Sequence, residues 1–133
     1  MKKITVTLLS FAILVGFLVV VQSEASNDQS VLRSQIQKLT QEVSRTMNGV
    51  GNQQISLSQA KREFEVYASE AQTIYEKARS GNTSTFFVKI SAGFSLSMDI
   101  YVKGLEEMNP DKIKAGTALI NLLTSQMSEH YGL

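Results

Sequence analysis

The chain has no cysteine and no tryptophan, and its 133 residues include a single histidine, His130, and a single proline, Pro110. Without cysteine, neither a disulfide nor a thiolate zinc site can form. One histidine excludes sites that need two or three imidazole ligands, including the HExxH motif. Stability must therefore come from packing of apolar side chains.

Motifs that carry common catalytic chemistry are also missing. The chain has no glycine-rich phosphate loop. Residues 93–97 begin like a nucleophile elbow but lack its second glycine. Ser128, Glu129 and His130 are consecutive, and a helix splays consecutive side chains apart instead of forming a relay. We expect a protein that is not an enzyme, with no catalytic residue, no metal site and no cofactor.

Charge of one sign is likewise not in excess. The formal net charge is +1, and residues 26–133 carry equal numbers of basic and acidic side chains. A neutral domain with dispersed charge lacks the electrostatic footprint of a nucleic-acid binder. It also lacks a polybasic patch for anionic lipid. We therefore expect no nucleic-acid partner.

The most distinctive stretch is at the start of the chain, where Lys2 and Lys3 precede an uncharged, mostly apolar run over residues 4–21. Such a run is just long enough to cross a hydrocarbon core of about 30 Å as a helix. Basic residues are retained on the cytoplasmic side of a membrane. The order of charge and apolar run predicts that the remainder of the chain is exported to an extracytoplasmic location.

Residues 1–25 fit two interpretations. As a signal peptide, the segment would be cleaved after Ala25, because Ser23-Glu24-Ala25 has the small-x-small pattern of a cleavage site. As an uncleaved anchor, it would hold the protein in the membrane through residues 4–21, a run longer than most signal peptides carry. Both interpretations place one domain, residues 26–133, outside the cytoplasm, either secreted or anchored to the outer face of the cell membrane.

That domain begins with two segments whose apolar residues recur at helical spacing. The first predicts a helix over roughly 28–48, ended by a left-handed turn at Asn48-Gly49. The second follows Ser56, which together with Gln59 resembles a capping box, and it ends near Ser80-Gly81. Its apolar positions alternate in steps of three and four, as in a coiled-coil seam, and Glu63 and Glu70 lie on its solvated flank.

Two further segments complete the domain, and a residue of Asn82 to Ser84 can cap the first of them. Residues 86–108 open with a stretch that would suit a strand, but helical spacing continues for too long, so we predict a helix whose small residues let a neighbour approach closely. Asn109-Pro110-Asp111 is a strong helix start, and a last apolar stripe runs to Tyr131. Four amphipathic helices with short connections predict an all-α fold, a small antiparallel four-helix bundle. The alternative is a long helical hairpin, because the first two helices have coiled-coil spacing.

The leading functional hypothesis is a non-catalytic, exported or membrane-tethered protein that acts by protein–protein interaction at the cell envelope. The alternative is a small carrier or sensor bundle that holds an apolar ligand between its helices. A possible ligand or partner surface combines bulky and small residues in the third helix: Phe87, Gly93, Phe94, Ser97 and Tyr101. A dry pocket at residues 93–97 would favour the carrier, and a filled core with an exposed apolar groove would favour the interaction protein.

Overall fold

The computed structural model describes residues 28–132, which form four α-helices and no strand. In chain order the helices are α1 (Asp28–Gly51), α2 (Leu57–Ser80), α3 (Thr85–Glu107) and α4 (Pro110–Tyr131). The all-α prediction is confirmed. None of these four helices combines the length and the apolar character that a membrane span requires. The signal or anchor segment predicted at residues 1–25 lies outside the described residues.

Three of the four helices begin at side-chain caps that the sequence predicted. Ser56 Oγ accepts a hydrogen bond from the backbone N–H of Gln59, and Ser84 Oγ accepts one from the N–H of Phe87. Asn109 Oδ1 accepts from two N–H groups of the first turn of α4, with proline at the first helical position. Each cap satisfies donors that would otherwise lack a partner inside the helix.

The predicted end of α1 was wrong. The helix continues past Gly49 to Gly51, and the left-handed residue in the following loop is Gln53, with φ of 60°. Gly49 instead makes room for the side chain of Ile55, where the chain returns towards α2. A Cβ on Gly49 would lie 3.3 Å from that side chain. Val50 is buried in the core, so the extra turn hides an apolar side chain that the predicted end would have left in a loop.

A single core joins all four helices, and the extended hairpin is not what the structure has. α2 packs between α1 and α3, and α3 packs against α4. Each core residue is at most 6% exposed. The core comprises Leu32, Ile36, Leu39, Val43, Met47 and Val50 of α1; Ala60, Phe64, Ala71, Ile74 and Ala78 of α2; Phe87, Ile90, Phe94, Met98, Tyr101 and Leu105 of α3; and Ile113, Ile120, Leu123 and Met127 of α4.

Glycines let α3 and α4 approach closely, as the small residues of the third segment predicted. A Cβ on Gly93 would lie 2.8 Å from the side chain of Leu123, and one on Gly104 would lie 2.8 Å from that of Ile113. Real Cβ atoms do not tolerate such distances, so either substitution would force the helices apart or displace a core side chain. The two glycines therefore allow α3 and α4 to pack closely at these positions.

Met108 ends α3 in the left-handed conformation, with φ of 54°, and its N–H bonds back to the last turn. The helical spacing predicted over residues 86–108 would make Met108 the last residue of the apolar stripe, but Met108 is 40% exposed and its backbone forms the C-cap. A residue with a Cβ pays a steric penalty of about 1 kcal/mol for this conformation, which glycine avoids.

We therefore expect Met108→Gly to raise the free energy of unfolding by about 0.5–1 kcal/mol, measured by urea denaturation. Met108→Ala keeps the Cβ and the strained φ, so it serves as the matched control and should bring no gain. A Gly variant no more stable than the Ala variant would contradict the assignment of strain to this residue.

Candidate functional site

The five residues predicted as a ligand or partner surface lie mostly in the core. Phe87, Phe94, Ser97 and Tyr101 are each at most 1% exposed. Gly93 lies at the edge of the core, where the side chain of Leu123 fills the space beside it. In the described conformation these residues pack the interior, and their role in binding stays a prediction.

Tyr101 is the largest fully buried side chain of the core. Its ring stacks on that of Phe64 with 4.5 Å between centroids, and it also lies against Gly116. Its hydroxyl forms a hydrogen bond with Thr117 Oγ1, so the polar tip of the ring is satisfied inside the bundle. Burial raises the pKa of Tyr101 far above its ordinary value, because a phenolate would be desolvated there.

The buried hydroxyl pair predicts a non-additive result. Thr117→Val keeps the side-chain shape but leaves the Tyr101 hydroxyl without a partner, which should cost about 1–3 kcal/mol of unfolding free energy. The double variant Tyr101→Phe with Thr117→Val removes both polar groups and should lose less than the sum of the single variants. Urea denaturation of the wild type, the two single variants and the double variant gives the four free energies of unfolding that the comparison needs. Additive losses would contradict a direct hydrogen bond.

Tyr101 also predicts a loss of stability in alkali. The folded state holds the phenolic proton more tightly than the unfolded chain, whose tyrosines titrate near 10.0. The stabilisation that comes from this raised pKa is therefore fully present below pH 10.0. It is lost as the pH rises from there towards the folded-state pKa, by about 1.4 kcal/mol per pH unit. Relative to wild type, Tyr101→Phe should flatten the decline in urea-measured stability above pH 10.0. Parallel declines in the two proteins would contradict the assignment.

A polar network joins α1 to α2. The hydroxyls of Tyr67 and Thr46 are 2.7 Å apart, and Thr46 Oγ1 donates to Glu63 Oε1 at 2.8 Å. The side-chain amide of Gln59 donates to Glu63 Oε2, so it does not complete the predicted capping box with Ser56. The sequence placed Glu63 on a solvated flank, but here its carboxylate fixes the register of two helices. The missed signal was Thr46, a polar residue within the buried stripe of α1.

Tyr131 closes the pole of the bundle at which α1 begins and α4 ends. Gln29 donates through Nε2 to the Tyr131 hydroxyl at 3.0 Å and accepts through Oε1 from the N–H of Ser84 at 2.7 Å. The guanidinium of Arg33 lies 4.3 Å from the centroid of the Tyr131 ring, within range of a cation–π interaction. These contacts hold the starts of α1 and α3 beside the end of α4.

A cleft of about 490 Å³ opens on the outer side of α3 and α4 near this pole. The rings of Phe86 and His130 stack at its edge, with centroids 3.9 Å apart. The residues that line it are Phe86, Lys89, Ile90, Leu123, Gln126, Glu129 and His130.

Exposed leucines extend this surface along the two helices. Leu96 follows Lys89 by two helical turns and Leu122 precedes Glu129 by two turns, so each lies on the same side of its helix as the cleft. Their side chains are 54% and 52% exposed. We call the surface formed by Phe86, Leu96, Leu122 and His130 the α3–α4 face. Its signal in the sequence is weak, because Leu122 adjoins the buried Leu123 in the apolar stripe of α4 and its exposure depends on how the helix is rotated.

The fold and its surfaces define a compact four-helix bundle with an apolar outer face. Among residues 28–132, no group of three or more histidine, aspartate or glutamate side chains is arranged to hold a metal ion. No protein-family model, no curated protein and no solved structure matches the chain. Inferences about function therefore depend on its own residues.

Proposed function

We propose that this chain is a non-catalytic helical protein, exported or membrane-tethered, that acts by binding another protein at the cell envelope. The observation that carries the proposal is the α3–α4 face. Single exposed leucines are ordinary on protein surfaces, but here two of them extend a cleft that already exposes stacked rings. Half-exposed apolar side chains on the outer side of two packed helices suit a partner that presents its own apolar side chains.

The proposed location depends on the charge order at the start of the chain. Lys2 and Lys3 followed by the apolar run 4–21 favour export of everything after it. The described helices begin only a short distance later, at Asp28. If the run is retained, residues 22–27 are the connection between the membrane and the pole that Tyr131 closes. A partner would then be met close to the outer face of the membrane.

The face predicts where a partner can be cross-linked. A photoreactive residue placed at Leu96 or Leu122 of the full chain, in its own cells, should give a cross-linked adduct of one defined partner. Val66 on α2 is the matched control, because it is also 54% exposed but lies outside the α3–α4 face. Adducts from Val66 equal to those from both leucines, or none from the leucines, would overturn the proposal.

Substitution supplies the complementary test. Leu96→Ser with Leu122→Ser should reduce the cross-link formed from position 86 by about tenfold, as expected when two apolar contacts of an interface are lost. The free energy of unfolding should change by less than about 1 kcal/mol, because both side chains are largely exposed. Mass spectrometry of the purified protein, showing whether it begins at Met1 or Ser26, tests the location separately.

A further inference from the structure

A second surface groove lies between α1 and α2, on a different side of the bundle from the α3–α4 face. It has a volume of about 330 Å³, within the range of small-ligand sites. Leu39 and Ile74 form an apolar floor, and both are nearly fully buried in the core. The groove therefore has a rigid base, and only its rim is exposed to solvent.

The charges on the rim are segregated by sign. Lys38 and Lys77 line the groove together with Glu42 and Glu70. α1 starts and α2 ends at the same pole, since Gln29 bonds the Ser84 backbone just beyond α2. Lys38 precedes Glu42 along α1 and Lys77 follows Glu70 along α2, so both lysines lie nearer that pole. One end of the groove is positive and the other is negative.

None of these four side chains forms an ion pair or a side-chain hydrogen bond within residues 28–132. Other charged residues of α2 do form ion pairs, such as Lys61 with Glu65. Lys38 and Glu42 are one helical turn apart, a spacing at which opposite charges often pair. The groove thus presents two cations and two anions that are available to a ligand.

Helix geometry gives the spacing of the two ends. A rise of about 1.5 Å per residue separates the lysine from the glutamate by about 6 Å along α1 and about 10 Å along α2. An extended peptide spans about 3.3–3.6 Å per residue, so two or three residues match this separation. Thr73 lines the groove between Glu70 and Lys77. Its hydroxyl donates to the backbone carbonyl of Ser69, so its oxygen can still accept a hydrogen bond from a peptide N–H.

We propose that the α1–α2 groove binds a short peptide of two or three residues with free termini. The carboxylate lies between Lys38 and Lys77, and the terminal ammonium lies between Glu42 and Glu70. An apolar side chain of the peptide packs over Leu39 and Ile74. This site is independent of the proposed protein-binding face, because it uses other helices and needs no second protein.

The test titrates the full chain, in detergent micelles, with the dipeptide Leu-Leu and follows backbone amide shifts by NMR. Saturable shifts should appear around residues 38–42 and 70–77, and N-acetylated or C-amidated Leu-Leu should bind at least several-fold more weakly. Lys38→Gln with Lys77→Gln, and Glu42→Gln with Glu70→Gln, should each weaken binding by about five- to tenfold, as expected for loss of partly exposed charge pairs.

Lys103→Gln with Glu106→Gln is the matched control, because it removes one charge of each sign from exposed positions of α3 and should leave binding unchanged. The proposal is overturned if blocked and free peptides bind equally, if the control weakens binding as much as the groove variants, or if no saturable binding occurs below about 10 mM. Tighter binding of glycerophosphoethanolamine than of Leu-Leu would overturn the assignment to a peptide. Each outcome is independent of cross-linking at Leu96 and Leu122, so the two proposals fail separately.

Discussion

The close approach of α3 and α4 is the constraint on which the rest of the bundle depends. Gly93 and Gly104 leave no room for a Cβ, and Gly116 gives the Tyr101 ring a surface to lie on. Because the two backbones are so near, Tyr101 is directed into the centre, where it meets Phe64 of α2. The close approach of α3 and α4 thus also affects how α2 packs, through the contact between Tyr101 and Phe64.

Hydrogen bonds inside the bundle then select one arrangement of these packed helices. The Tyr101 hydroxyl finds Thr117 in the core, and Thr46 links Glu63 to Tyr67 between α1 and α2. Apolar contacts alone tolerate sliding of one helix along another, whereas a buried polar group that loses its partner is costly. These pairs therefore supply register, and apolar burial supplies most of the stability.

Two surfaces remain after the core is formed, and they differ in character. The α3–α4 face exposes leucine and aromatic side chains beside a cleft. The α1–α2 groove exposes charges of both signs over an apolar floor. The first resembles a protein-binding surface and the second a site for a small zwitterion. Neither surface includes the five residues proposed from the sequence. Phe87, Phe94 and Tyr101 belong to the apolar stripe of α3 and are therefore in the core, and Ser97 is buried with them.

The sequence by itself determined the number of helices, their class and most of their ends. Helical spacing of apolar residues and caps such as Ser56, Ser84 and Asn109 act locally, so they can be read without the fold. It misplaced the end of α1, because the role of Gly49 depends on Ile55 approaching from the returning chain. Only the tertiary structure decided that Glu63 bridges two helices, that Leu96 and Leu122 share a face, and that Lys38 and Lys77 meet at one end of a groove. Those relations join residues far apart in the chain, and they exist only after packing has set the rotation and register of each helix.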